Sequence, residues 1–205
     1  MDEYFECFLG EFGPAIDKRH VPPTSIERYR GKLPDQLLAY WDEHGWCGYA
    51  DGLFWTVNPQ EYEPALEAWI GDTPFMEKDA YHLIARSAFG HLLFWGERTA
   101  FTLEIFAPGS YAIPQKQGFS MGQMELAARA FFSTQNKKPF DFGDMFTSTL
   151  KKLGRLKHDE MYGFVPALAL GGPSTLDHLQ KVKAVEHLIL LAQLAPLDVI
   201  TFPPV

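Results

Sequence analysis

Cysteine is nearly absent from this 205-residue chain: Cys7 and Cys47 stand alone, outside any C-x-x-C or Cys/His ligand spacing. That scarcity excludes a disulfide framework and a structural zinc centre. Long apolar runs are missing too. No stretch approaches the roughly 18 uninterrupted apolar residues of a membrane span, and the longest candidate, around Val185 to Leu197, is broken by Glu186, His187 and Gln193. The opening MDEYFECFLGEF places acidic residues where a secretory signal carries basic ones and lacks its apolar core, so a soluble, cytoplasmic protein is expected, with no membrane partner.

Positive charge is scarce in the first half. Residues 1–115 hold 8 Lys or Arg against 18 Asp or Glu, a net of −10, whereas residues 116–205 hold 10 against 8, a net of +2. Nucleic-acid affinity rests on cationic contacts that release counterions, so direct nucleic-acid binding is disfavoured. The run Lys151, Lys152, Arg155, Lys157 reads as a solvated helix face.

Catalytic signatures are lacking as well. There is no H-E-x-x-H, no G-x-S-x-G, no Walker lysine and no G-x-G-x-x-G, and His178 and His187 lie nine residues apart, too far for a helical metal pair. Asp79, His82 and Ser87 could suggest a hydrolase. Strand alternation, however, sends His82 and Arg86 to one face and Tyr81 and Ser87 to the other. Gly171-Gly172 reads as a chain reversal. The expectation is a protein without catalytic residues, metal or cofactor.

Aromatic residues are abundant: 17 Phe, 8 Tyr and 5 Trp, 15% of the chain. Many fall at helical or strand spacing. Tyr4, Phe5, Phe8, Leu9 and Phe12 predict a short helix from residue 2 that ends near Gly10 or Gly13-Pro14. Thr24-x-x-Glu27 resembles a capping box, and Pro34 suits the first turn of a helix that stops at Gly45. Asp51-Gly52 between Trp46–Ala50 and Leu53–Val57 predicts a tight hairpin, because Asp-Gly supplies positive φ angles. Asn58 and Pro59 open a helix that ends at Gly71.

Residues 81–113 alternate as strands, with Tyr81, Leu83 and Ala85 on one face and Phe101, Leu103 and Ile105 on another; with the first hairpin they make an antiparallel meander of five or six strands. After Pro114 the pattern is helical: a Ser120/Gln123 capping box opens a helix to about Thr134, and another runs from Asp144 to Leu153. Leu156–Ala169 reads as a strand pair, a helix follows Ser174 or Thr175, and Val182–Leu194 is helical with Pro196 as its stop. The fold class expected is α+β: an antiparallel meander sheet flanked by helices, with a mostly helical C-terminal module packed against it. A boundary near 110–118 divides residues 1–115 from 116–205.

Carboxylates crowd among tryptophans around the first hairpin. Trp41, Asp42, Glu43, Tyr49, Asp51, Trp55, Glu61 and Glu63 combine both chemistries and form the candidate partner-binding set. By spacing alone, Trp41 and Trp55 serve as core residues as readily as anchors.

Several stretches together resemble one family. Phe8-Leu9-x-x-Phe12-Gly13, Arg28-Tyr29-x-Gly31-Lys32-Leu33-Pro34, Gly48-Tyr49-x-Asp51-Gly52-Leu53-Phe54-Trp55-Thr56-Val57-Asn58-Pro59 and Ile84-Ala85-Arg86-Ser87-Ala88-Phe89-Gly90 resemble the GAD-like domain of bacterial type VI secretion immunity proteins. Tyr162 to Gly172, followed by Glu186-His187-Leu188, is similar to the C-terminal module that accompanies it. The resemblance implies a GAD-like domain over 1–115, an immunity-associated module over 116–205, and a non-enzymatic antitoxin. Its partner would be a cognate nuclease toxin that degrades DNA, bound one to one, with the toxin's active site either occluded or distorted. A regulatory module that recognises a host protein or peptide through the same surface is the alternative.

Overall fold

The computed structural model describes residues 2–115 and 119–200; the expected domain boundary falls partly on 116–118, outside the described residues. One sheet of eight strands organises the chain. Its first seven strands are neighbours in sequence order: β1 (Ile16–Arg19), β2 (Trp46–Tyr49), β3 (Phe54–Thr56), β4 (Tyr81–Ser87), β5 (His91–Gly96), β6 (Ala100–Phe106) and β7 (Tyr111–Pro114). These pair antiparallel throughout. The separate hairpin β8 (Glu160–Phe164) and β9 (Leu179–Lys183) makes a second, two-stranded sheet. A short strand near the C-terminus, β10 (Asp198–Val199), then returns to the large sheet and adds to β7 in parallel. The α+β meander is therefore as expected, with eight strands in place of five or six: β1 and β10 are too short to register as periodic patterns.

Helices cover both faces. On one lie α1 (Glu3–Phe12), α3 (Asp35–His44) and α6 (Met124–Ser133), with α2 (Pro23–Tyr29) against α3; on the other lie α4 (Glu63–Ile70) and α8 (Ala184–Leu194). Two further helices, α5 (Pro74–Lys78) and α7 (Phe146–Leu153), complete the set. Among the described residues no helix is long and apolar enough to cross a membrane. Helix α1 begins at Asp2, whose carboxylate accepts from Phe5 N at 3.0 Å, and ends where Gly13 takes φ +77°. Its stripe Phe5, Phe8 and Phe12 is fully buried and meets Phe132 of α6 and Phe54 of β3.

Two β-bulges correct the expected strand faces. Leu83 pairs with Phe94 and Ala85 with Leu93, so Ile84 is an extra residue; Trp95 pairs with Phe101 and Phe94 with Leu103, so Thr102 is another. Each bulge inverts the alternation beyond it. Hence Ala85 faces away from Tyr81 and Leu83, Arg86 faces away from His82, and Phe101 leaves Leu103 and Ile105 to reach Phe131 of α6 at 5.0 Å.

Local corrections have local causes. The first hairpin closes through four residues between Tyr49 and Phe54, and Ala50 joins Asp51 and Gly52 at positive φ. Thr24 lies inside α2, whose cap position is Pro22, so it caps nothing. The partner of β8 is β9, not a strand within 156–169, and the segment expected to be helical after Ser174 is a single 3-10 turn (Leu176–His178) leading into β9. Tertiary pairing overrides a weak local preference there.

Candidate functional site

The eight sequence-derived candidates separate into an interior and a surface group. Trp41, Tyr49 and Trp55 are each about 1% exposed. Trp41 packs edge-on against Tyr29 and Trp46, at 5.6 and 5.7 Å between ring centres. Tyr49 meets Phe8 edge-on at 4.8 Å, and burial raises the pKa of its phenol. Trp55 donates from Nε1 to Gly52 O at 2.7 Å and lies beneath the Arg86 guanidinium at 5.5 Å. As contact residues these three are corrected: side chains so enclosed cannot touch a partner while the fold is intact.

The carboxylates are exposed, and arginines from other elements hold several of them. Glu61 takes a two-pronged contact from Arg19, at 2.9 and 3.0 Å. Glu63 accepts from Arg28 at 2.9 Å, and Asp51 from Arg155 at 2.7 Å. The partners stand 42, 35 and 104 residues away in sequence, beyond the reach of spacing arguments. Glu43 lies 3.7 Å from His44 Nε2, and burial lowers the His44 pKa despite that neighbour. Asp42 has no ion-pair partner among the described residues.

Asp42 lines a concavity that the sequence did not reveal. A groove of about 410 Å³ runs between α2 and α3, lined by the apolar Pro23, Ile26, Leu38 and Ala39 and by Glu27, Asp35 and Asp42, with Arg30 the lone cation. A second groove, of about 240 Å³, continues past Asp35 to Met121, Met124 and Glu125 at the start of α6. Pro34 occupies the cap position of α3 and supplies no side-chain acceptor. Glu125 fills that role from α6, accepting from Asp35 N and Gln36 N at 3.1 and 2.7 Å. The lining thus draws on three helices that only tertiary packing brings together.

The residues that suggested a hydrolase are dispersed among structural tasks. Asp79 is 1% exposed and accepts from the backbone N–H groups of Ala80, Arg98 and Thr99, closing the β5–β6 turn. His82 contacts Glu97 at 2.9 Å. Ser87 Oγ accepts from Phe89 N and His91 N at the β4–β5 turn. No nucleophile and base pair forms among them.

Comparison with known proteins finds two family models on the chain. One, described as GAD-like domain, matches residues 3–109; the other, described as T6SS immunity protein Tdi1, C-terminal, matches residues 127–195. Among solved structures, the crystal structure of Atu4351 from Agrobacterium tumefaciens shares the fold with a TM-score of 0.85 at 23% identity, over 97% of this chain and 94% of that one. No curated protein matches the chain.

Proposed function

Because this chain belongs to the GAD-like family and carries the C-terminal domain of the type VI secretion immunity protein Tdi1, we propose that it is the antitoxin of a secreted DNase. It binds that nuclease one to one in the cytoplasm, without chemistry or cofactor of its own. The observation that carries the reading is the succession of the two immunity-associated segments along a single chain whose hydrophobic core they share.

The charge distribution suits such a partner. A DNase presents a basic cleft to bind phosphates, and a half-chain with a net of −10 accelerates encounter with it. The contact set is the surface group, Asp42, Glu43, Asp51, Glu61 and Glu63. Three of these are held in exposed ion pairs with Arg155, Arg19 and Arg28; such pairs contribute about 0–1 kcal/mol each, so a toxin's lysines and arginines can replace them at little cost.

The test is co-expression with the nuclease encoded beside this chain's gene. Restored plating of cells that the nuclease alone kills, and co-elution of the two chains at equal stoichiometry, are the expected results. Neither rescue nor co-elution would sink the proposal.

A further inference from the structure

We infer that the paired grooves between α2, α3 and the start of α6 form the docking surface for a cationic, amphipathic segment of the effector. This deepens the antitoxin reading and rests on it. The first groove, at about 410 Å³, is roomy enough to admit a protruding side chain. Pro23, Ile26, Leu38 and Ala39 give its lining an apolar part, which suits an aliphatic or aromatic side chain. The same lining carries three carboxylates against one guanidinium, and that guanidinium, Arg30, is already engaged by Glu27 at 3.0 Å. Asp42 has no ion pair among the described residues, and Asp35 feels Arg30 only at longer range, so both carboxylates can receive an incoming Lys or Arg.

The neighbouring groove extends the same chemistry. It shares Asp35, sets Glu97 and Glu125 against the one cation Lys32, and is flanked by Met121, which is 66% exposed. An exposed methionine beside a carboxylate offers an adaptable apolar contact next to a fixed charge. A segment that alternates cationic and apolar side chains satisfies both grooves at once. A second copy of this chain does not, because a protein of net charge −8 brings like charge to the surface. Isolated DNA is repelled for the same reason.

The experiment measures the affinity of a catalytically inactive form of the adjacent-gene nuclease for four forms of the full chain. These are the wild type, the groove double variant Asp35→Lys/Asp42→Lys, the single variant Ile26→Glu, and a control with equal charge change at exposed positions of the C-terminal half that line neither groove, Asp177→Lys/Glu186→Lys. Thermal unfolding is recorded for each. The expected result is a loss of about 100-fold or more for both groove variants and less than about threefold for the control, the range that separates a desolvated central contact from a rim charge. If Asp35→Lys lowers stability by disturbing the α3 N-terminus, Asp42→Lys alone and Ile26→Glu carry the test. Equal affinity for all forms, or equal losses in groove and control variants, overturns the groove assignment. Absence of binding by the wild type overturns the antitoxin reading itself.

Discussion

Arg86 is the most consequential single residue in the interior. Its side chain is fully buried, no carboxylate among the described residues pairs with it, and its donors are spent on neutral oxygens. Nε donates to Tyr62 Oη at 2.7 Å, Nη1 to Ser87 O at 3.2 Å, and Nη2 to both His158 O and Glu160 O at 2.8 Å. The guanidinium also lies over Trp55 and Tyr62, at 5.5 and 5.9 Å. A planar fork can serve three elements at once and an ammonium cannot. Arg86→Lys therefore leaves buried acceptors unpaired at about 1–3 kcal/mol each. Urea unfolding should show a clearly lowered midpoint for that variant and almost no change for Arg155→Lys on the surface, where one exposed contact to Asp51 is at stake. Equal midpoints would refute the role. The sequence places Arg86 correctly on a strand, yet nothing in its spacing reveals that a bulge turns it away from His82.

Among the elements, α8 is seated by an uncharged histidine. His187 packs so closely over Gly163 of β8 that a Cβ there would stand 2.6 Å from its Nε2, and burial lowers its pKa. His44, at the end of α3, is depressed chiefly by burial as well. In both, the folded pKa lies below the unfolded value of about 6.5. Stability is therefore full above about pH 6.5 and falls as the pH drops through the folded pKa values, because the unfolded chain binds the extra protons. The urea midpoint should hold steady between about pH 8 and 7 and decline toward pH 5. His187→Gln should reduce that slope without abolishing it, since His44 contributes with the same sign. An identical slope in the variant would exclude His187.

Elements bounded by backbone chemistry are legible in the sequence: α1 and α3 end at Gly13 and Gly45, both at positive φ, and the Ser120/Gln123 capping box forms. Those with no local signature escape it. Strand β9 lies where the local pattern predicts a helix, because its pairing with β8 is settled by a partner some twenty residues away. The α3 N-terminus has no capping residue of its own in the sequence, since its acceptor, Glu125, arrives from another helix.

At the level of the whole molecule, the two halves complete each other. Tyr162 N donates to Ala88 O at 2.8 Å, β10 extends the sheet beside β7, and α6 covers Trp95 and Phe101 through Phe131. The buried core includes residues from both halves without interruption. A fragment ending at Gln115 loses the cover of α6, the His158 and Glu160 carbonyls that receive Arg86, and the β10 edge. It should show a broad thermal transition, weak near-ultraviolet dichroism and strong binding of a hydrophobic dye, the behaviour of a compact state without fixed packing. A sharp, cooperative transition would mean that the first half folds alone.

Composition and local pattern determined much of this protein unaided. Charge segregation, the absence of catalytic spacing, the helix stops at glycine, the meander and the family resemblance all depend on residues close together in the chain. Tertiary structure alone decided which aromatics are interior, which carboxylates an arginine already holds, and where the acidic grooves open. Burial and ion pairing depend on distance in space, and the groups that meet at the α2–α3 groove and at Arg86 are separated by too much chain for any periodicity to join them.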